Sequence, residues 1–271
     1  LALAKSDEKR EDRGGLYKMM KIIAFIIVYN EEEIIAKCIK NAREQGLDVI
    51  VIDNGCVDRT IEIVKAQGVP IYEHKTDKYN VFEVNKWAIS KVREIGCDWL
   101  VLKDADEIFE TYDGRKIAEA VTEADIAGYN CMRFESYEFW PTVIDDLDIK
   151  DFTERIRYYS YFGDKHLKMI KNCAEIGIDN PHRPYGQIKE SPERLVLKHY
   201  KFISLEQGRR KVKTRLSRYH YPRKGNGHSR QYNEFTSESK FYVLEEMIYP
   251  RLFKFNGILI KKKVFDGWRG Y

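Results

Sequence analysis

No apolar run in this 271-residue chain approaches the roughly 20 residues needed to span a bilayer. The longest, Ile22 to Tyr29, is stopped by Asn30-Glu31-Glu32-Glu33. Cysteine is sparse: Cys38, Cys56, Cys97, Cys131 and Cys173 are widely spaced and form no CxxC pair. That excludes a disulfide frame or a zinc site and fits the reduced thiols of a cytosolic protein. There is no GxxxxGK[ST] phosphate loop and no GxGxxG after the first strand, which counts against a P-loop nucleotidase and a dinucleotide dehydrogenase. HExxH and the GxSxG nucleophile elbow are missing too. A nucleotide, if bound, has to be held by carboxylates, a metal and basic side chains.

What is present is a regular alternation. Residues 1–18 are mostly charged, carry Gly14-Gly15 and have no secretory apolar region. They read as a flexible leader, native or added, ahead of a start at Met19 or Met20. Ile22–Val28 is a continuous β-branched run, the mark of a strand buried on both faces. Asn30, with Glu33 three residues on, forms a capping box for a helix carrying Ile34, Ile35, Cys38, Ile39 and Ala42 on one face and ending at Gly46. Strands follow at Val49–Ile52 and Val69–Glu73, with a helix between them that Asp58 caps and Gly68 ends. Val81–Ile95 reads as a longer helix and Trp99–Leu102 as a fourth strand, running straight into Asp104-Ala105-Asp106-Glu107. Short connections and buried-type strands imply an α/β fold, Rossmann-like, with a mostly parallel sheet and helices on both faces. Beyond Phe109 the pattern loosens: Gly128–Phe134 reads as a strand, Glu135–Trp140 as an aromatic stretch near the site, and Asp145–Asp151 as an acidic loop.

In such sheets ligands bind outside the carboxyl ends of the strands. Tyr29-Asn30-Glu31, Asp53-Asn54-Gly55 and Asp104–Glu107 all fall there and are expected along one rim. Asp104 and Asp106 are hard oxygen donors two apart, with Ala105 on the alternate face, and suit Mg²⁺ or Mn²⁺. Asp53 can accept a hydrogen bond from a base or ribose, and the Tyr29 ring can stack on a base. The plain alternatives are a solvated acidic turn, a helix-entry turn and a gap-filling tyrosine.

Three stretches, Ile26-Ile27-Val28-Tyr29-Asn30-Glu31-Glu32, Val51 through Thr60, and Trp99 through Glu107, resemble glycosyltransferase family 2 and its GT-A fold in order and spacing. Asn85-Lys86-Trp87-Ala88 resembles that family's helix before the metal motif. His199 through Glu206 and Phe265 through Tyr271 look like segments of the lipopolysaccharide-core glucosyltransferase branch. The resemblance implies a nucleotide-sugar donor, UDP-linked by preference, a divalent Mn²⁺ or Mg²⁺, and inversion at the anomeric carbon. It implies Tyr29, Glu31, Asp53, Asn85 and Asp104 at the nucleotide, and Asp104, Asp106 and His199 at the metal. The family's acidic catalytic base has no plain counterpart; Glu135, Asp179 and Glu190 are candidates, with His182 as a non-acid option. Asp179 is preferred because the turn Asn180-Pro181-His182-Arg183-Pro184 would fix it at a cleft edge. Asn54 and Cys56 stand where many members carry Asp and Ser.

Net charge is +4, but the basic excess is concentrated from His199 to Arg230, where Lys201, Arg209, Arg210, Lys211, Lys213, Arg215, Arg218, Arg223, Lys224 and Arg230 face only Glu206. That segment admits binding of a diphosphate or an anionic glycan or lipid-linked acceptor, peripheral contact with an acidic membrane surface from the cytoplasmic side, or a solvated helical face. No nucleic-acid module accompanies it. The expected division is a leader at 1–18, a nucleotide-sugar-binding catalytic domain at 19–198, and a basic acceptor or membrane-proximal segment at 199–271. A nucleotidyltransferase and a non-catalytic sugar- or lipid-binding module are the rival functions.

Overall fold

The structure, a computed structural model, describes residues 20–77, 80–142, 145–178, 184–218 and 253–254. The leader, Asp179, the Asn180–Arg183 turn and the Phe265–Tyr271 stretch lie outside them. The first half follows the alternation read from sequence. β1 (Ile22–Val28), α1 (Ile35–Glu44), β2 (Asp48–Asp53), α2 (Thr60–Ala66), β3 (Ile71–Glu73), α3 (Val81–Ile95) and β4 (Trp99–Leu102) come in that order. After them come β5 (Glu107–Glu110), α4 (Ile117–Ile126), β6 (Cys131–Trp140), α5 (Phe152–Arg155), β7 (Tyr158–Lys171), β8 (Ile176–Gly177), β9 (Tyr185–Gly186), β10 (Glu190–His199), α6 (Leu205–Arg218) and β11 (Phe253–Lys254).

The main sheet has the order β3-β2-β1-β4-β7-β6-β10-β5, with β11 beside β7. β1, β2, β3 and β4 are parallel, and β6 and β10 are parallel to each other. β7 runs against both β4 and β6, so β6 and β10 point the same way as the first four strands. The α/β expectation is therefore borne out, with β7 and β5 as the reversed strands.

Alternation along the strands explains the layers. Ile22, Ala24, Ile26 and Val28 join Val49, Val51, Trp99 and Val101 on one face, where α1 and α4 deliver Ile35, Cys38, Ile39, Ile117, Ala120 and Val121. Ile23, Phe25, Ile50, Ile52, Leu100 and Leu102 make the other face, covered by Ala88, Ile89 and Val92 of α3. Each fully buried Ile or Leu contributes about 1.5–3 kcal/mol, so these two layers hold the rim rigid.

Two local expectations are corrected. Asn30 is not a helix cap: it sits at φ 56, and its Oδ1 accepts from the Val57 N–H at 2.8 Å. α1 instead starts at Ile35, behind Ile34, with no side-chain cap. Asn30 is thus spent tying the β1 loop to the β2 loop, and an Asn tolerates the left-handed backbone this needs. The strand read at Gly128–Phe134 runs from Cys131 to Trp140 and absorbs the aromatic stretch.

Candidate active site

The loops after β1 and β2 are laced together at the rim. Glu31 N–H donates to Thr60 Oγ1 at 2.7 Å, and the Glu32 and Arg59 amides reach Asp58 and Glu32 carboxylates. Asp53 is buried, and its Oδ1 accepts from Gly55 N–H at 2.9 Å and Cys56 N–H at 2.8 Å. Burial pushes the Cys56 thiol up to about 12, and that of Cys38 to about 11, so neither supplies a thiolate nucleophile at neutral pH. The five cysteines are free.

The segment from Lys103 to Asp106 leaves β4 and enters β5 on the far side of β10, so it crosses the ends of β7, β6 and β10. A buried bracket fixes that crossing. Glu107 Oε1 and Oε2 accept from Lys168 Nζ at 2.5 and 2.7 Å, and Oε2 also accepts from the Asp104 N–H at 2.9 Å. Lys103 lies over the Phe109 ring, 4.2 Å from its centroid, and donates to the Glu107 carbonyl. Burial lowers the Lys103 pKa, and burial raises that of Glu107 despite the Lys168 charge beside it.

Asp104 and Asp106 are placed differently, rather than on one strand face as the spacing suggested. The Asp104 carboxylate is half exposed, with Oδ2 3.9 Å from Lys168 Nζ. Asp106 is buried; its Oδ1 lies 3.3 Å from His199 Nε2, and its Oδ2 accepts from Lys211 Nζ at 2.7 Å. Glu138 of β6, which sequence reasoning missed, bonds His199 Nδ1 at 2.8 Å. The cross-strand pairing of Glu138 with His199 sets this contact. Burial pulls the His199 pKa down, but Glu138 and then Asp106 outweigh it and hold the imidazole well above its ordinary value.

Among the described residues no three or more His, Cys, Asp and Glu side chains converge as a cage for a metal ion. The donor set nevertheless fits an open site. An octahedral Mg²⁺ bonds oxygen at about 2.0–2.1 Å, which spaces adjacent donors about 3 Å apart. Asp106 Oδ1 and His199 Nε2 stand near that separation, and a carboxylate on the second ring nitrogen is the usual support of a metal-binding imidazole.

The basic segment does not behave as one patch. Arg209 is exposed. Arg210 pairs with Glu33 at 2.7 Å and Glu206 at 2.6 Å. Lys211 is buried between Asp106 and Glu31 Oε1, the latter at 3.2 Å. The Arg218 guanidinium lies 3.8 Å above the Tyr29 ring centroid, bonds Asn54 Oδ1 at 3.0 Å and donates to the Thr76 carbonyl. The structure thus brings together Tyr29, Glu31, Asp53, Asp104, Asp106 and His199 along the rim. Asn85 is buried in the first half of α3. Glu135 is not brought there: it pairs with Val196, three positions before His199, and its carboxylate accepts from the Tyr112 hydroxyl. Glu190 is taken by Arg133 at 2.7 Å and Arg194 at 3.2 Å.

The sequence model described as Glycosyl transferase family 2 matches residues 23–172, more than half of the chain. The SPbeta prophage-derived glycosyltransferase SunS of Bacillus subtilis (strain 168) is 30% identical over 109 residues, covering 40% of this chain and 25% of SunS. The uncharacterized protein MJ1222 of Methanocaldococcus jannaschii is 34% identical over 68 residues, covering 24% of this chain and 28% of its own. The chain therefore spans about a quarter of the length of the curated relatives it matches. Among solved structures, glucosyl-3-phosphoglycerate synthase from Mycobacterium tuberculosis, in complex with Mn²⁺ and UDP-glucose, is 18% identical over 44% of each chain, with a TM-score of 0.33.

Proposed function

From the premise that the chain belongs to glycosyl transferase family 2, we propose that its rim is the donor site of a metal-assisted, inverting sugar transfer. The donor is a nucleotide sugar, UDP-linked by preference, and the acceptor a hydroxyl of an anionic glycan or lipid-linked saccharide. One observation carries this reading: Asp106 meets His199 at 3.3 Å while Glu138 holds the other ring nitrogen at 2.8 Å. A carboxylate and a braced imidazole at the carboxyl ends of the parallel strands are a ready pair of donors for a divalent cation.

A Mg²⁺ or Mn²⁺ ion held there supplies Lewis-acid neutralisation of the diphosphate. The chain's own groups do the rest. Tyr29 offers a ring face to the base, and Asp53, its Oδ1 pinned by two backbone amides, offers a fixed acceptor edge. The acceptor oxygen attacks the anomeric carbon as the bond from that carbon to the diphosphate oxygen breaks. The leaving group takes the electron pair and a carboxylate takes the hydroxyl proton. We assign that base to Asp179. In this reading residues 19–198 carry the donor chemistry and residues 199–271 the acceptor side, peripheral to a membrane, with α6 reaching back to the rim. Placement in the lipopolysaccharide-core glucosyltransferase branch rests on the His199–Glu206 segment alone among the described residues.

The test is nucleotide release from a panel of UDP-, GDP- and ADP-sugars with Mn²⁺. Release of UDP from one of the UDP-sugars supports the reading. No turnover of any donor marks a binding module, and release of pyrophosphate from nucleoside triphosphates marks a nucleotidyltransferase.

A further inference from the structure

α6 has one of its cations seated on Asp106 and another over the Tyr29 ring. Lys211 is 5% exposed in its side chain, and its Nζ lies 2.7 Å from Asp106 Oδ2 and 3.2 Å from Glu31 Oε1. Arg218 lies two helical turns further on, about 10 Å along the axis. It grips Asn54 and Thr76 at the ends of β2 and β3 while lying over Tyr29. Arg210 adds an ion pair to Glu33 at 2.7 Å. Three contacts along one helix fix its rotation and height over the rim. They do so over carboxylates, where a nucleoside diphosphate needs positive charge.

We infer that Lys211 is a second, protein-borne cation of the leaving-group site. The inference rests on the donor reading above. Asp106 divides its two oxygens, Oδ1 toward His199 and Oδ2 toward Lys211, so one carboxylate holds the His199 side and the ammonium side of the rim in fixed relation. An ammonium held there neutralises charge as it grows on the departing diphosphate and needs no rearrangement to do so. Its Nζ is held at the rim by Asp106 and Glu31, on a helix that Arg218 and Arg210 anchor independently. Burial of the Lys211 charge is offset by its pairs with Glu31 and Asp106, which hold this cation at the rim while Arg209 is left in solvent.

The test is titration calorimetry of uridine and of UDP, each with Mn²⁺, on the full chain and on Lys211→Met and Lys211→Arg. The expected result is a loss of about 10- to 100-fold in UDP affinity for Lys211→Met, little change for uridine, and partial recovery in Lys211→Arg. Equal loss for uridine and UDP makes Lys211 a merely structural residue and overturns the inference. Tighter UDP binding in Lys211→Met also overturns it, making the lysine an occupant that the donor must displace. If the unaltered chain binds no nucleoside diphosphate, the donor reading fails and the inference falls with it.

Discussion

Asp106 Oδ1 and His199 Nε2 lie 3.3 Å apart, one on the turn that follows β4 and the other at the end of β10. The crossing of the Asp104–Asp106 segment over the strand ends makes the contact, and Glu138 fixes the ring from behind.

Asp106 is buried, so its removal has two consequences that two variants grade. Asp106→Asn keeps the shape and an acceptor oxygen, and is expected to abolish donor turnover while costing about 1–3 kcal/mol of stability, because Lys211 and His199 lose a charged partner. Asp106→Ala is expected to abolish turnover and to cost more than Asp106→Asn, because it also removes both acceptor oxygens facing Lys211 and His199. Urea unfolding of both variants, beside a turnover assay, checks this; an active Asp106→Asn refutes the role.

His199 gives the metal-free protein a pH-dependent stability whose sign is fixed. Its folded pKa is raised by Glu138 and Asp106 against burial, so the folded state holds the proton more tightly than the unfolded chain. The contribution is complete below the unfolded value of about 6.5 and is lost as pH rises through the raised folded value. In that window stability is expected to fall by up to about 1.4 kcal/mol per pH unit. Unfolding curves at a series of pH values should show the slope in the native chain and a flatter one in His199→Gln. A metal has to displace the same proton, so Mn²⁺ affinity is expected to increase with pH.

Base recognition is expected to favour uridine. At equal concentration UDP should raise the melting temperature more than GDP or ADP, since stabilisation follows ligand concentration over dissociation constant. Tyr29→Ala should remove about tenfold of UDP affinity by deleting the stacking face. Preference for GDP retires the uridine assignment.

Lys168 is fully buried on Glu107, and the Glu107 carboxylate also holds the Asp104 amide. Lys168→Met leaves that carboxylate buried without its cation and is expected to cost about 3–5 kcal/mol. Lys168→Met with Glu107→Gln should recover part of the loss. Chemical denaturation of the single and double variants measures it; equal destabilisation in both contradicts the pairing.

The rim was legible where it depends on strands that are apolar throughout. Ile22–Val28 and Trp99–Leu102 are read directly from their β-branched and apolar runs, and their ends carry Tyr29 and the Asp104–Glu107 stretch. Glu138 was not legible, because nothing local distinguishes it from Glu135 three residues earlier; only the pairing of β6 with β10 places Glu138 opposite His199. Lys211 and Arg218 were visible as charges of a basic segment. Their separation from the exposed Arg209 depends on the rotation of α6, which contacts with Glu31 and Asn54 in the loops after β1 and β2 set. Lys168 sits in a long strand with no motif around it, so its partner Glu107 could not be read from spacing.

The most direct test of the central claim is calorimetric binding of UDP to the native chain and to Asp106→Asn, each with Mn²⁺ and with EDTA. The account predicts UDP binding that Mn²⁺ strengthens by tenfold or more, with that gain lost in Asp106→Asn. UDP affinity that is the same in EDTA as in Mn²⁺, or unchanged in Asp106→Asn, would contradict it.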